Sequence, residues 1–199
     1  MMIFRFCLMV VFALVLSSCN KSAQEQQVQG EQSQQQPPSL AQAPASTPTS
    51  AGGIRWTVPA RWNVGADRPM RVGTYVIPAA DGDAEGGECA AYYFGADQGG
   101  DVQANVERWA SQFEGVTGRV QTTSEVAGMK VTNVLITGTY LAPSGPMMQS
   151  QGKKENYRLV GAIVGAPEGN VFFKCTGPGK TVEAAKAEFS ALIESISKK

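Results

Sequence analysis

Residues 157–165, YRLVGAIVG, and residues 171–177, VFFKCTG, flank the turn Pro167-Glu168-Gly169-Asn170. Both runs are rich in β-branched and aromatic side chains. The residues between them are turn formers, so the pair predicts an antiparallel hairpin. A helix is expected next, beginning near Thr181 as its N-cap. Val182, Ala185, Phe189, Leu192, Ile193 and Ile196 recur on one side of it. Glu183 near its start and Lys198 and Lys199 at its end suit the helix dipole.

Working upstream, KVTNVLITGTY (130–140) reads as a long strand. Asp101 is a good N-cap for a helix carrying Val102, Val106, Trp109 and Phe113 at three- and four-residue spacing. ECAAYYFG (88–95), MRVGTYVI (70–77) and IRWTVP (54–59) complete the strand-like runs. Strands in antiparallel groups, one middle helix and one C-terminal helix define an α+β layout. The expected architecture is an antiparallel sheet of about five to seven strands with both helices packed on it.

Trp56, Pro59 and Trp62 form a W-x-x-P-x-x-W opening, and Leu192-Ile193-Glu194-Ser195-Ile196 closes the last helix. With the middle helix and the hairpin between them, these features resemble the PsbP-like α/β/α sandwich over most of residues 54–196. That resemblance implies the sandwich fold. The family's members include photosystem extrinsic subunits, small binding proteins and bacterial lipoproteins, so it implies no single function and no catalytic residues.

The start of the chain has another character. In MMIFRFCLMVVFALVLSSC, Arg5 precedes an apolar run from Phe6 to Leu16, and Ser17 and Ser18 lead into Cys19. A run of about 11 apolar residues suits a signal-peptide core and falls short of the ~20 that span a bilayer. Leu16-Ser17-Ser18-Cys19 resembles the lipobox of bacterial lipoproteins. The resemblance implies cleavage before Cys19, thioether lipidation of its sulfur and acylation of the new amino terminus, with palmitate as one acyl group. Asn20 after the cysteine then favours the outer membrane, facing the periplasm. Residues 19–53 are dominated by Gln, Ser, Ala and Pro, too poor in apolar surface to order a chain, and read as a tether. The expected organisation is therefore 1–18 signal peptide, 19–53 lipidated cysteine and tether, and 54–199 globular domain.

Bulk chemistry narrows the functional classes. Lys plus Arg and Asp plus Glu both number 17, and the chain contains no histidine. A neutral chain lacks the basic face that displaces counterions from nucleic acid. Without histidine, Ser-His and Cys-His catalysis and His-bearing zinc sites are excluded. Cys89 and Cys175 leave two readings open, a disulfide in an oxidising envelope or two buried thiols packing as small apolar groups.

Three further stretches invite chemistry. Asp81-Gly82-Asp83-Ala84-Glu85-Gly86 begins like a calcium loop, but Tyr92 stands where the pattern needs a bidentate Glu. Gly177-Pro178-Gly179-Lys180-Thr181 sits where a phosphate loop would, but Lys174 replaces the required first glycine. An acidic loop and a strand-to-helix turn account for these more simply. Trp56, Trp62 and Trp109 could line a groove, although aromatics at this periodicity are usually core. Residues 141–154, with Met147 and Met148, read as a long loop and a candidate interaction surface. No metal ligands and no cofactor are implied.

The expectation is a membrane-anchored envelope lipoprotein with a non-catalytic binding domain. It would meet the membrane through its N-terminal lipid, and another envelope protein or a small ligand through its domain. The alternatives are an envelope enzyme using Asp, Glu or Lys chemistry, or a passive spacer.

Overall fold

In the computed structural model, residues 49–144 and 149–199 are described. The described residues open with β1 (Ser50–Ala51), β2 (Ile54–Arg55), β3 (Asn63–Val64), β4 (Arg71–Ile77) and β5 (Gly87–Tyr93). Helix α1 (Val102–Ala110) follows, then β6 (Phe113–Val126), β7 (Met129–Ser144), β8 (Gln149–Ala166) and β9 (Gly169–Pro178). The chain closes with α2 (Gly179–Ala184), α3 (Lys186–Glu194) and β10 (Ser197–Lys198). The fold is α+β.

Seven strands form one antiparallel sheet in the order β3-β4-β5-β9-β8-β7-β6, and β1-β2-β10 form a second, small sheet. The order explains the middle helix. β9, β8 and β7 lie between β5 and β6, so the chain must cross the sheet after β5, and α1 makes that crossing. The long meander β6-β7-β8-β9 then returns to seat β9 against β5, with Cys89 opposite Cys175. A disulfide joins these two cysteines.

Period-2 alternation sends successive side chains of β9 to opposite faces. Val171, Phe173 and Cys175 enter one core with Trp56, Phe189, Leu192 and Ile196, beneath α2 and α3. Phe172 enters the other with Val106, Trp109, Ile136 and Leu159, beneath α1. Trp56 donates its indole N–H to Tyr75 Oη at 2.9 Å, and Trp62 donates to Glu188 at 2.8 Å. These two tryptophans are core, on the α3 side of the sheet.

Helix α1 begins where Asp101 accepts a hydrogen bond from the Ala104 N–H at 3.0 Å. Its buried stripe is Asn105, Val106 and Trp109. Phe113, expected on that stripe, instead opens β6. The C-terminal helix is interrupted at Ala185, which separates α2 from α3. Thr181 is inside the first turn of α2 rather than at its N-cap, which is Pro178.

Other expectations also shift. The fold begins upstream of residue 54, because Ser50 and Ala51 pair with Arg55 and Ile54. Of IRWTVP, only Ile54 and Arg55 are strand. Asn170 belongs to β9, paired with Gly165, which leaves Pro167 and Glu168 as the hairpin turn. Residues 141–154 are mostly ladder, since Leu141 pairs with Lys153 and Ser144 with Gln149. Met147 and Met148 lie outside the described residues, as does Cys19. β6 has no counterpart in the sequence pattern, because most of its side chains are exposed and supply no apolar alternation to read.

Candidate binding cleft

A nine-residue helix is about 14 Å long, whereas seven paired strands extend about 29 Å across. Helix α1 therefore cannot cover its face of the sheet. The uncovered part lies over β4, β5 and β9. Register places Thr74, Ala90 and Lys174 in one row across these strands, and Val76, Glu88 and Thr176 in the next.

Two cavities adjoin there. The smaller, about 160 Å³, lies against α1 and is walled by Tyr92, Phe94, Trp109 and Phe172, with Asn105, Arg108, Gln112 and Lys174 as its polar lining. The larger, about 460 Å³, includes Arg68, Arg71, Glu88, Tyr140, Tyr157 and Thr176. Lys174 joins them, because its Nζ lies 5.5 Å from the centre of the Tyr140 ring. Arg71 does the same from the other side, 5.7 Å over the Tyr92 ring.

Local packing fixes these walls. Gly161 is on β8 opposite Lys174. A Cβ there would approach Trp109 Cζ3 to 2.5 Å, so only glycine lets the indole lie on the strand. Asn105 donates to the carbonyls of Gly99 and Asp101, each at 2.8 Å. Gly99 has a φ of 86°, and a Cβ there would meet Phe172 and Phe94 within 3.0 Å. The loop before α1 is thus held down on the aromatic wall. Gln112 is pinned by its carbonyl, which accepts from the Leu141 N–H at 2.8 Å.

Lys174 is the unusual group. It is half-buried, and its ammonium donates to Gln112 Oε1. Among the described residues no carboxylate lies within ion-pair distance of it. Burial pushes its pKa down from 10.5 to about 8, the Arg71 charge adding to the fall and Glu88 opposing it. Tyr140 is pushed up to about 12, chiefly by burial. Tyr92 is raised for the same reason. Glu88 is engaged by Arg71 at 2.8 Å and by Arg68 at 3.4 Å.

The acidic and glycine-rich motifs meet elsewhere. Asp83 Oδ2 accepts from the Thr181 N–H at 2.7 Å and from its hydroxyl at 2.8 Å. Thr181 Oγ1 in turn accepts from the Ala80 N–H at 3.0 Å. The apparent calcium loop thereby caps the apparent phosphate loop, and the N–H a phosphate would need is already taken. Glu85 turns away to Tyr157 and to Lys154, the latter at 2.7 Å. A trough of about 880 Å³ lies beside this corner, where Arg158 pairs with Glu183.

Of the residues singled out in the sequence, Cys89 and Cys175 lie on the far side of β5 and β9 from the cleft, and Trp109 forms part of its wall. Sequence reasoning passed over Lys174, meeting it only as a mismatch to a glycine pattern. The signal was present in the alternation Phe172, Lys174, Thr176, which sets a lysine on a strand face expected to carry a helix, where lysine is rarely buried.

No family model matches this chain, and no curated protein does. Solved structures with similar folds include cyanobacterial PsbP (CyanoP) from Synechocystis sp. PCC 6803, at 11% identity over 74% of this chain and 88% of that one, TM-score 0.44. Another is PA94 of Pseudomonas aeruginosa, a protein of unknown function, at 12% identity over 64% of this chain and 82% of that one, TM-score 0.42. A third is a Bacteroides thetaiotaomicron structure at 15% identity over 76% of this chain and 47% of that one, TM-score 0.38.

Proposed function

We propose that this chain is a lipid-anchored bacterial envelope protein whose domain binds a small molecule in the cleft beside α1, without transforming it. One observation carries the binding half of this reading. A lysine with no carboxylate partner among the described residues is held half-buried among aromatic rings, on the part of the sheet that the crossing helix is too short to cover. Proteins bury such a charge at a cost, and a ligand that pairs with it recovers that cost. The anchoring half is supported by Leu16-Ser17-Ser18-Cys19 behind an apolar run.

Both halves have direct tests. Cells fed labelled palmitate should transfer label to the chain and not to its Cys19→Ser variant; an unlabelled wild-type chain sinks the anchor. A thermal-shift screen of small polar and aromatic compounds should yield ligands whose effect disappears in Lys174→Met. A screen whose hits are indifferent to that change places binding elsewhere.

The same lysine supports a second reading, an enzyme in which its neutral amine attacks a carbonyl carbon to form an imine with loss of water. Incubation with small aldehydes and borohydride separates the two. A mass adduct on Lys174 favours catalysis, and an unmodified Lys174 in a protein that still binds ligand favours simple recognition.

A further inference from the structure

We infer that the smaller cavity takes a compact aromatic carboxylate, with Lys174 and Arg108 holding the anionic end and Tyr92, Trp109 and Phe172 enclosing the ring. The inference rests on the binding reading above and names the class of ligand.

Charge is the first argument. Among the described residues the cavity lining includes two cations and no carboxylate. Among the described residues neither cation is in an ion pair. Its remaining polar lining consists of the neutral amides of Asn105 and Gln112 and the Tyr92 phenol. An anion is the complement such a site lacks.

Size and wall chemistry define the rest of the ligand. A cavity near 150 Å³ accommodates a benzene-sized ring, and this one is about 160 Å³. Phe94 stacks with Tyr92 at 6.2 Å and meets Phe172 edge-on at 5.8 Å, so the wall is a continuous aromatic surface. A phosphate would leave that wall unused. A ring bearing one carboxylate uses both parts of the site. The C-terminal end of α1 faces this cavity and its partial negative charge opposes an anion. That opposition is blunted, because the Glu107 carbonyl accepts from the Ser111 N–H at 2.8 Å and the Trp109 carbonyl from the Gln112 N–H at 3.3 Å.

The test is calorimetric titration of the full-length chain in detergent with phenylacetate, 2-phenylethanol, phenethylamine and acetate. Phenylacetate should bind at least tenfold more tightly than the alcohol or acetate, and phenethylamine should not bind. Lys174→Met should weaken phenylacetate at least tenfold, Arg108→Gln about threefold, and Lys174→Arg should retain most of the affinity. Should Lys174→Met fail to fold, the Arg108→Gln and Lys174→Arg titrations decide. Equal affinity for the alcohol and the carboxylate overturns the anion assignment and leaves a binding cleft standing. If a broad screen finds no compound that binds in the cleft, the assignment and the binding reading fall together.

Discussion

The two faces of the seven-stranded sheet are built from the same strands and finished differently. On one, α2, α3 and the segment around Trp56 and Trp62 close a core whose aromatic N–H groups all have partners. On the other, among the described residues, one nine-residue helix crosses and leaves part of strands β4, β5 and β9 without a helix over it. Adjacent residues of β9 make the contrast sharp, since Cys175 and Phe173 point into the closed face and Lys174 into the open one. Fold stability should therefore be concentrated on the closed face and ligand recognition on the other, although a single strand serves both.

Truncation of neighbours on β9 tests that division with the largest effect. Phe173 is fully buried, its ring meeting Trp56 edge-on at 5.0 Å. Phe173→Ala should cost about 3–5 kcal/mol in urea unfolding. Phe172 is also buried, but it lines the smaller cavity, so Phe172→Ala should cost less, because the space it leaves opens to that cavity. Equal losses would mean that the α1 face is packed as tightly as the other. Next in size is the disulfide behind Lys174. Cys89→Ser with Cys175→Ser should lower stability by about 2–4 kcal/mol through the unfolded chain. It should leave ligand affinity in the cleft unchanged. Two titratable thiols in the unreduced, denatured wild-type protein would show that the bridge does not form in the cell.

Lys174 itself should act in the opposite direction. Its folded pKa of about 8 is below its ordinary 10.5. The unfolded chain thus binds more protons between those values, and stability contributed by this site rises with pH across that window. The full gain is up to about 3 kcal/mol, and below pH 8 it is absent. Lys174→Met should raise the melting temperature at pH 7 and abolish the rise between pH 8 and 9.5. The raised tyrosines oppose the trend above pH 10, so the comparison is read below that point. A variant less stable than wild type at pH 7 would mark Lys174 as a structural residue.

Much of this arrangement was legible in the sequence. The β8–β9 hairpin, the Asp101 cap and the apolar stripe of the last helix follow from local chemistry, and they define the α+β class. What escaped was decided at longer range. β6 carries few buried side chains because it is the sheet's edge, a position that depends on where α1 delivers the chain. Residues 141–154 read as a loop on account of Pro143 and Pro146, although Leu141 pairs with Lys153 and Pro143 with Ser150. The cleft depends on a helix too short for its sheet, and that mismatch emerges only when strands distant in sequence are laid side by side. Lys174 could be seen as out of place on a buried strand, but its neighbours Tyr92, Trp109 and Tyr140 come from three other elements.

The smallest test compares one carboxylate from each face. Glu188 accepts both Nε and Nη2 of Arg61, at 2.8 and 2.6 Å, together with the Trp62 indole, and its side chain is 26% exposed. Glu85 accepts from Lys154 and Tyr157 at the mouth of the cleft and is 52% exposed. Hydrogen bonds from Arg61 and from Lys154 respectively hold both carboxyls below their ordinary pKa of 4.5. Each therefore adds stability above that value that is lost as pH falls through the lower, folded one. Solvent screening separates the two. Glu188→Gln should cost about 1 kcal/mol at pH 7, through a two-pronged, partly shielded pair. Glu85→Gln should cost less than about 0.5 kcal/mol. Acid titration of unfolding should show the larger loss of slope for Glu188→Gln; a larger loss for Glu85→Gln would make the cleft mouth a structural clasp and remove the asymmetry between the faces.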